Sequence, residues 1–193
     1  EHSLCWKIAR SPDCDALFCA PGNVGTEQVA TNLALDLTDT GDVLRLCRQN
    51  SIDLVVIGPE APLVAGLADQ LREAGFAVFG PSAEAAQLEG SKAFANDFMA
   101  EFGVPTAQSW NFSDGAELRA HLEACPLPVV VKADGLAAGK GVVVATTREM
   151  ALDAARAMTE ERRFGAAADV VVVEEFLPGE EASVFALVDD DGV

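Results

Sequence analysis

Three of the four lysines in this chain lie in segments whose other residues could bind a nucleotide. They are Lys92, Lys132 and Lys140. The chain has 13 basic and 31 acidic residues and a net charge of −18, so a polyphosphate would need local cations to bind. The same charge argues against a nucleic-acid partner and against a general affinity for anionic membranes. The alternative is that lysine is simply rare here and that three fall near one another by chance.

The stretch from Val129 to Val144 predicts a strand, a glycine loop and a second strand. A Walker A loop requires Ser or Thr after its lysine and then a helix. Here Gly141 follows Lys140 and a β-branched run comes next, which excludes the P-loop class. A glycine loop between antiparallel strands can instead fold over a triphosphate, because backbone N–H groups near Gly135 and Gly139 can approach its oxygens closely. A mobile surface hairpin would explain the glycines but not the paired lysines.

An acidic segment follows the apolar run from Val170 to Val173. Backbone groups at the end of such a strand can hydrogen-bond an adenine edge, Glu174 can accept from the adenine amino group, and Glu181 can accept from ribose hydroxyls. Lys132, near the end of its own strand, can hold phosphates as a point charge. An ordinary acidic turn is the alternative, and the order of the segments decides between the two.

The first eighty or so residues alternate short apolar runs with amphipathic helical stretches, which predicts an α/β fold with a doubly wound parallel sheet. Ligands bind beyond the carboxyl ends of such strands, and those ends lead here into three Gly/Pro loops. Taken alone, these loops are better explained as ordinary turns. The predicted strands are 17–20, 33–37, 54–58 and 77–80, the predicted helices are 43–50 and 63–74, and the candidate loops are 21–26, 58–62 and 80–82.

An α+β module is predicted after a helix from Ser91 to Phe102, with Ser91 as its N-cap. The phenylalanine stripe of that helix (Phe94, Phe98 and Phe102) is expected in the core. Thr146 and Glu149 fit a capping box for the last helix, and His121 is expected to be structural or solvent-facing. The predicted strands are 129–132, 142–145, 170–175 and 184–188, and the predicted helices are 114–124 and 148–160.

The five cysteines include no Cys-x-x-Cys pair, and only two histidines could help to build a zinc site. Reduced thiols are therefore predicted. The sequence shows no apolar run long enough to cross a bilayer and no signal peptide, which predicts a cytoplasmic protein. The chain begins without Met and stops just after an apolar run, so we expect it to be a fragment.

The order of these motifs resembles the ATP-grasp superfamily: a lysine at a helix start, a lysine on a strand, a glycine flap, then Glu-Glu-Phe-Leu. Within that superfamily the chain resembles the phosphoribosylamine-glycine ligase (glycinamide ribonucleotide synthetase) family over essentially all its residues. The matching motifs are PGNVGT (21–26), IGPEAPLVAG (57–66), LEGSKAF (88–94), VVVKADGLAAGKGVVVA (129–145) and EEFLPGEEAS (174–183).

The resemblance implies an enzyme that joins glycine to 5-phosphoribosylamine with cleavage of ATP, through glycyl phosphate, in de novo purine biosynthesis. It implies that the lysines contact phosphates and that the opening loops bind phosphoribosylamine. Ligands for Mg²⁺ or Mn²⁺ and for glycine are expected after Val193. The implied catalytic residues are Lys92, Lys132 and Lys140; the implied ATP-binding residues are Lys92, Lys132, Gly135, Gly139, Lys140, Gly141, Glu174, Glu175, Phe176, Leu177 and Glu181; the implied substrate-binding residues are Gly22, Asn23, Gly25, Thr26, Gly58, Pro59 and Glu60.

Four segments follow from the resemblance. They are a Rossmann-like substrate domain (1–88) that lacks its first strand, a connecting helix (89–109), an ATP-grasp lid subdomain (110–179) and the truncated start of the central ATP-grasp domain (180–193). The alternatives are another ATP-grasp carboxylate-amine ligase or carboxylase, and a non-catalytic nucleotide-binding fragment. We expect the fragment by itself to be inactive.

Overall fold

The computed structural model describes residues 1–137 and 139–186. The chain divides into two compact units, unit 1 from Glu1 to Phe98 and unit 2 from Met99 onward. Within the described residues, no helix has the length and apolar character that a membrane span requires.

Unit 1 is built from short strands and helices in alternation. Two strand pairs are parallel, which confirms the predicted parallel arrangement, and no ladder joins the two pairs within the described part of the chain. The elements are α1 (His2–Ile8), β1 (Phe18–Cys19), a 3-10 helix (Thr26–Gln28), β2 (Thr31–Asn32), α2 (Thr40–Gln49), β3 (Leu54–Val56), α3 (Glu60–Val64), α4 (Leu67–Glu73), β4 (Ala77–Phe79) and α5 (Ala83–Gly90). Helix α6 (Lys92–Glu101) begins in unit 1 and ends in unit 2.

The core of unit 1 lies on one side of the β3–β4 pair. Val55 and Val78 pack against a cluster of buried side chains from α2 to α5. Leu54 and Phe79, on the alternate positions of the same strands, are exposed. The two-residue period of a strand therefore separates a packed side from an open side.

Two sequence predictions for unit 1 are wrong. The strand predicted at 33–37 lies earlier, at β2, because its ladder with β1 ends where the Leu33 N–H donates to the Cys19 carbonyl. The helix predicted at 63–74 is two helices, because Gly66 has φ +85° and separates α3 from α4. Helix α5 was not predicted at all.

The phenylalanine stripe of α6 was expected in the core and is instead partly exposed. Phe102 is 64% exposed, and the buried residue of this helix is Asn96. Ser91 caps the helix as predicted, with its Oγ accepting from the Phe94 N–H at 3.1 Å.

Unit 2 is a four-stranded antiparallel sheet in the order β5-β8-β6-β7, with two helices packed on one face. Strand β5 was not predicted from the sequence. The elements are β5 (Ser109–Phe112), α7 (Gly115–Ala124), β6 (Val129–Ala133), β7 (Val142–Ala145), α8 (Arg148–Thr159), a 3-10 helix (Gly165–Ala168) and β8 (Val171–Glu175).

Alternate residues of the central strands build the core of unit 2. Val129 and Val131 of β6, with Val171 and Val173 of β8, pack with Leu118, Leu122 and Met158 of the helices. His121 lies between the rings of Trp110 and Phe112, at centroid distances of 4.8 and 5.0 Å, and burial lowers its pKa from 6.5. His121 is therefore a neutral residue that packs between aromatic rings, which agrees with the structural role expected for it.

Two further predictions for unit 2 need correction. The N-cap of α8 is Thr147 and not Thr146, because the Thr147 hydroxyl accepts from the Met150 N–H at 3.2 Å. Of the strand predicted at 184–188, residues 184–186 form no strand, and the remaining two lie outside the described residues.

Candidate nucleotide-binding site

The face of the unit 2 sheet opposite the helices carries two of the charged residues that the sequence singled out, Lys132 and Glu174. The strand register places eight side chains there in two rows, which we call the outer face. The first row is Ser109, Glu174, Val130 and Val144, and the second row is Asn111, Val172, Lys132 and Val142. Val142 and Val144, on the edge strand β7, are 44% and 45% exposed, whereas Val130 and Val172 of the central strands are buried, so the exposed apolar surface of the outer face lies at its β7 edge.

Lys132 and Glu174 form an ion pair in the middle of the outer face. They lie on neighbouring strands, one row apart, and the Lys132 Nζ is 2.5 Å from the Glu174 Oε2. Their side chains are 24% and 11% exposed, so the pair is largely shielded from water. Partial burial makes such a pair stronger than a surface ion pair and makes loss of either partner costly.

The flap, residues 134–141, begins directly after β6. Its first residues are bonded to the segment before β8: the Asp134 N–H donates to the Val170 carbonyl at 3.1 Å, and the Gly135 N–H donates to the Ala167 carbonyl at 2.9 Å. At its other end the Lys140 N–H donates to the Ala137 carbonyl at 3.0 Å, and Lys140 itself is exposed. The base of the flap is therefore anchored, while its described outer part carries a solvent-facing lysine.

The three glycines of the flap are needed for different physical reasons. A Cβ at Gly135 would lie 2.9 Å from the Ala167 Cα, and a Cβ at Gly141 would lie 2.7 Å from the Ala137 Cβ. Gly139 has open space around it among the described residues, but φ is +73°, a conformation that side chains disfavour. The predicted phosphate contact of the Gly135 N–H would require that N–H to exchange its bond with Ala167.

The segment after β8 was predicted as the adenine hinge. Glu175 is tied to the residue before β5, since its Oε1 accepts from the Gln108 N–H at 2.8 Å and its N–H donates to the Gln108 carbonyl at 2.9 Å. Phe176, Leu177 and Glu181 follow outside any helix or strand and are exposed. The Glu175 carboxylate thus holds the hinge in place, while the next residues face solvent.

The loop from Pro21 to Thr26 in unit 1 is held together by hydrogen bonds. The Asn23 Oδ1 accepts from the backbone N–H groups of Gly25 and Thr26, at 2.9 and 3.2 Å. The fully buried Thr26 hydroxyl accepts from the Asn23 N–H at 2.7 Å and lies 2.7 Å from the Asn32 Oδ1. A Cβ at Gly22, where φ is +76°, would lie 2.3 Å from Asn32. Sequence reasoning missed Asn32, because no local pattern marks a contact made across the loop.

Helix α1 lies beside the same loop. The Asn23 Nδ2 donates to the Glu1 Oε2 at 3.1 Å, and a Cβ at Gly25 would lie 2.6 Å from the His2 Nδ1. Beneath the loop, burial and then the neighbouring Cys5 thiol raise the pKa of Cys19 to about 11. Cys19 is therefore protonated at neutral pH and is no nucleophile.

The other predicted substrate residues lie at helix starts. Gly58 precedes Pro59, which is the N-cap of α3, and Glu60 is the exposed first residue of that helix. Lys92 is the first residue of α6. Helix starts suit anions, because backbone N–H groups there are not used within the helix.

The hydrogen bonds of the third candidate loop, residues 80–82, are those of a turn and a helix cap. The Arg72 guanidinium donates to the carbonyls of Val78 and Gly80, and the Asp69 Oδ2 accepts from the Ala83 N–H at 2.8 Å. Ser82 caps α5. Every polar contact described for 80–82 is thus structural.

Removing the Thr26 hydroxyl should loosen the 21–26 loop. Thr26→Val keeps the shape of the side chain but removes the hydroxyl that accepts from the Asn23 N–H and donates to the Asn32 Oδ1, so we expect a loss of about 1–3 kcal/mol in the free energy of unfolding. Urea unfolding measures it. Thr31→Val, at an exposed position of β2, is the matched control and should change stability by less than about 0.5 kcal/mol. Equal effects of the two substitutions would show that the network is not stabilising.

Comparison with known proteins adds to this geometry. A profile described as "Phosphoribosylglycinamide synthetase, N domain" matches residues 1–89, and one described as "Phosphoribosylglycinamide synthetase, ATP-grasp (A) domain" matches residues 90–193. The chain belongs to the phosphoribosylglycinamide synthetase family. This confirms the resemblance inferred from the motifs and the α/β fold with an ATP-grasp module.

Members of this family are similar in sequence to this chain along essentially its whole length. Phosphoribosylamine–glycine ligase of Haemophilus influenzae is 49% identical over 195 aligned residues, which cover 100% of this chain and 46% of that protein. The enzyme of Chlorobaculum tepidum is 52% identical, with 98% of this chain and 45% of that protein covered. The crystal structure of the Thermotoga maritima enzyme matches with a TM-score of 0.69 and 28% identity, over 93% of this chain and 42% of that one. The chain therefore spans about half the length of the family members it matches.

Proposed function

We propose that this chain supplies the nucleotide-binding face and the phosphoribosylamine-binding loops of a phosphoribosylamine–glycine ligase. In this reaction the glycine carboxylate attacks the γ-phosphorus of ATP to give glycyl phosphate and ADP. The amine of 5-phosphoribosylamine then attacks the acyl carbon, phosphate leaves, and glycinamide ribonucleotide forms. The observation that carries the proposal is the sequence identity of about 50% to enzymes of this name along essentially the whole chain. The structure adds that Lys132, Glu174 and the flap belong to one sheet.

The nucleotide would lie on the outer face of the unit 2 sheet. Its base would rest on exposed apolar surface near the hinge, where Glu174 can accept from the adenine amino group, and Glu181 would accept from the ribose. Its phosphates would lie toward the flap, near the Lys132 ammonium, with Lys140 as a further cation, and the phosphate contact of Lys92, a unit 1 residue, stays a prediction. Catalysis of this kind depends on positioning and charge neutralisation, and a closed flap would keep water from the acyl phosphate.

The acceptor of the glycyl group, 5-phosphoribosylamine, would bind to unit 1. The ordered 21–26 loop presents Gly22, Asn23 and Gly25 in a fixed conformation, and the start of α3 offers the backbone N–H groups of Gly58 and Glu60, since Pro59 has none. A phosphate ester is well matched to such donors. We propose that these two loops hold 5-phosphoribosylamine in a cytoplasmic enzyme of small-molecule metabolism.

The ATP-grasp fold implies a divalent metal, proposed here as Mg²⁺ or Mn²⁺. Within 1–137 and 139–186, no group of three His, Cys, Asp or Glu side chains is placed to hold a metal ion. The described residues do not fit a metal site, and no step is assigned to one. That the ligands lie after Val193 stays a prediction.

The decisive experiment measures phosphate release from ATP by the natural full-length polypeptide that contains these residues. We expect release that requires glycine and 5-phosphoribosylamine together. Release stimulated by bicarbonate or by D-alanine would point instead to a carboxylase or another carboxylate-amine ligase of the ATP-grasp superfamily. The third alternative, a non-catalytic nucleotide-binding fragment, concerns these 193 residues alone, and nucleotide binding by them without any turnover would support it.

A further inference from the structure

The carboxamide of Asn32 joins the two ends of the 21–26 loop. Its Oδ1 accepts from the Thr26 hydroxyl at 2.7 Å, and its Nδ2 donates to the Asn23 carbonyl at 2.9 Å. It also lies against Gly22, where an added Cβ would come within 2.3 Å of it. Asn32 belongs to strand β2, and the ladder of β2 with β1 fixes its position. The loop is therefore held by a side chain from outside it, on a neighbouring strand.

This arrangement uses some backbone donors of the loop and leaves others. The N–H groups of Gly25 and Thr26 donate to the Asn23 Oδ1, and the Asn23 N–H donates to the Thr26 hydroxyl. Within the described part of the chain, the N–H groups of Gly22 and Val24 make no hydrogen bond. Val24 is 78% exposed. Backbone N–H groups gathered in a turn form concavities that bind anions, so these two donors suit a phosphate ester.

We propose that Asn32 is a positioning residue for the sugar-phosphate substrate. By holding the loop in this conformation, Asn32 keeps the N–H donors of Gly22 and Val24 in place before the substrate phosphate arrives. The inference rests on the proposed function and extends it to a residue that acts through the loop. Without the carboxamide the loop would occupy other conformations as well, and the apparent affinity falls with the fraction of molecules that can bind.

The test measures the binding of ribose 5-phosphate to the natural full-length polypeptide by titration calorimetry. This stable phosphate ester lacks the amine, so its binding requires neither ATP nor turnover. We expect Asn32→Ala to weaken binding about tenfold, the size of two lost neutral hydrogen bonds. Asn32→Asp keeps the shape and an acceptor but loses the N–H donor and adds a negative charge beside the loop, so it should weaken binding more than Asn32→Ala does.

The ligase assay separates positioning from folding. An unfolded fraction removes active enzyme and lowers the maximal rate, but it leaves the KM of the remaining enzyme unchanged. We expect Asn32→Ala to raise KM for 5-phosphoribosylamine about tenfold, because binding is weakened equally in the ground state and the transition state. The kcat and the KM values for ATP and glycine should stay within about twofold of the parent.

Asn50→Ala is the matched control. Asn50 is half-buried in the same unit, and its Nδ2 donates to the Leu46 carbonyl at 3.0 Å at the end of α2. The substitution removes a comparable side-chain hydrogen bond and should leave both the affinity for ribose 5-phosphate and the KM for 5-phosphoribosylamine unchanged. Equal weakening by Asn32→Ala and Asn50→Ala, or unchanged binding in Asn32→Ala, would overturn the inference.

The two measurements distinguish this inference from the proposed function. A failed ligase assay with weakened ribose 5-phosphate binding in Asn32→Ala would remove the proposed reaction and leave the role of Asn32. A working ligase whose KM for 5-phosphoribosylamine is unaltered in Asn32→Ala would do the reverse. A parent protein that neither binds ribose 5-phosphate nor acts as a ligase would overturn both.

Discussion

Replacing Lys132 with alanine in the natural full-length polypeptide should lower kcat/KM for ATP by at least about 100-fold, the size expected when one charge-stabilising donor is lost. Lys132 is the cation of the outer face, and the flap that should cover the phosphates begins two residues later. Its loss also removes the cation beside the Glu174 carboxylate, whose negative charge would then repel the phosphates. Steady-state phosphate release measures the effect.

Two controls separate loss of phosphate binding from loss of folding. Lys7→Ala removes a lysine from the exposed surface of α1 and should leave kcat/KM unchanged. Thermal unfolding of the Lys132 variant reports the cost of breaking a partly buried ion pair. Activity within about twofold of the parent would contradict the phosphate role, since one lost charge-assisted bond is worth more than that.

Replacing Gly139 with valine should lower kcat by about tenfold and change the affinity for ATP much less. Gly139 has φ +73°, and a Cβ added there would meet no described atom within 4 Å, so the substitution makes no clash with them but strains the backbone. The strain is about 1–2 kcal/mol in this conformation, and valine is among the residues that tolerate it least. A flap held in another conformation closes less often over the phosphates. We expect this to slow turnover more than it weakens the binding of ATP.

Gly75→Val is the matched control for the flap variant. Gly75 has φ +91° and open surroundings as well, but it follows the end of α4 in unit 1. It should cost a similar amount of stability and leave kcat unchanged. A loss of activity in both variants would trace the effect to stability, and unchanged kinetics in Gly139→Val would mean that the flap is only a connector.

Local sequence patterns predicted the elements that packing did not alter. The valine runs of β6 and β8 and the helix α7 lie where their periodicity placed them, because burial requires the same periodicity in the fold. The predictions that were wrong depended on distant partners. Strand β2 ends where its ladder with β1 ends, and strand β5 was missed because β8 pairs with it from far along the chain.

The sequence by itself determined the family and the residue types of the nucleotide site, because motif order and charge are properties of the linear chain. Tertiary structure decided how those residues are used. The strand register places Lys132 beside Glu174, and the close approach of Ala167 leaves no room for a side chain at Gly135. The carboxylate of Glu175 accepts a hydrogen bond from the Gln108 N–H. The physical reason is that a hydrogen bond or a close contact joins residues that are near in space, whereas a local pattern records only neighbours along the chain.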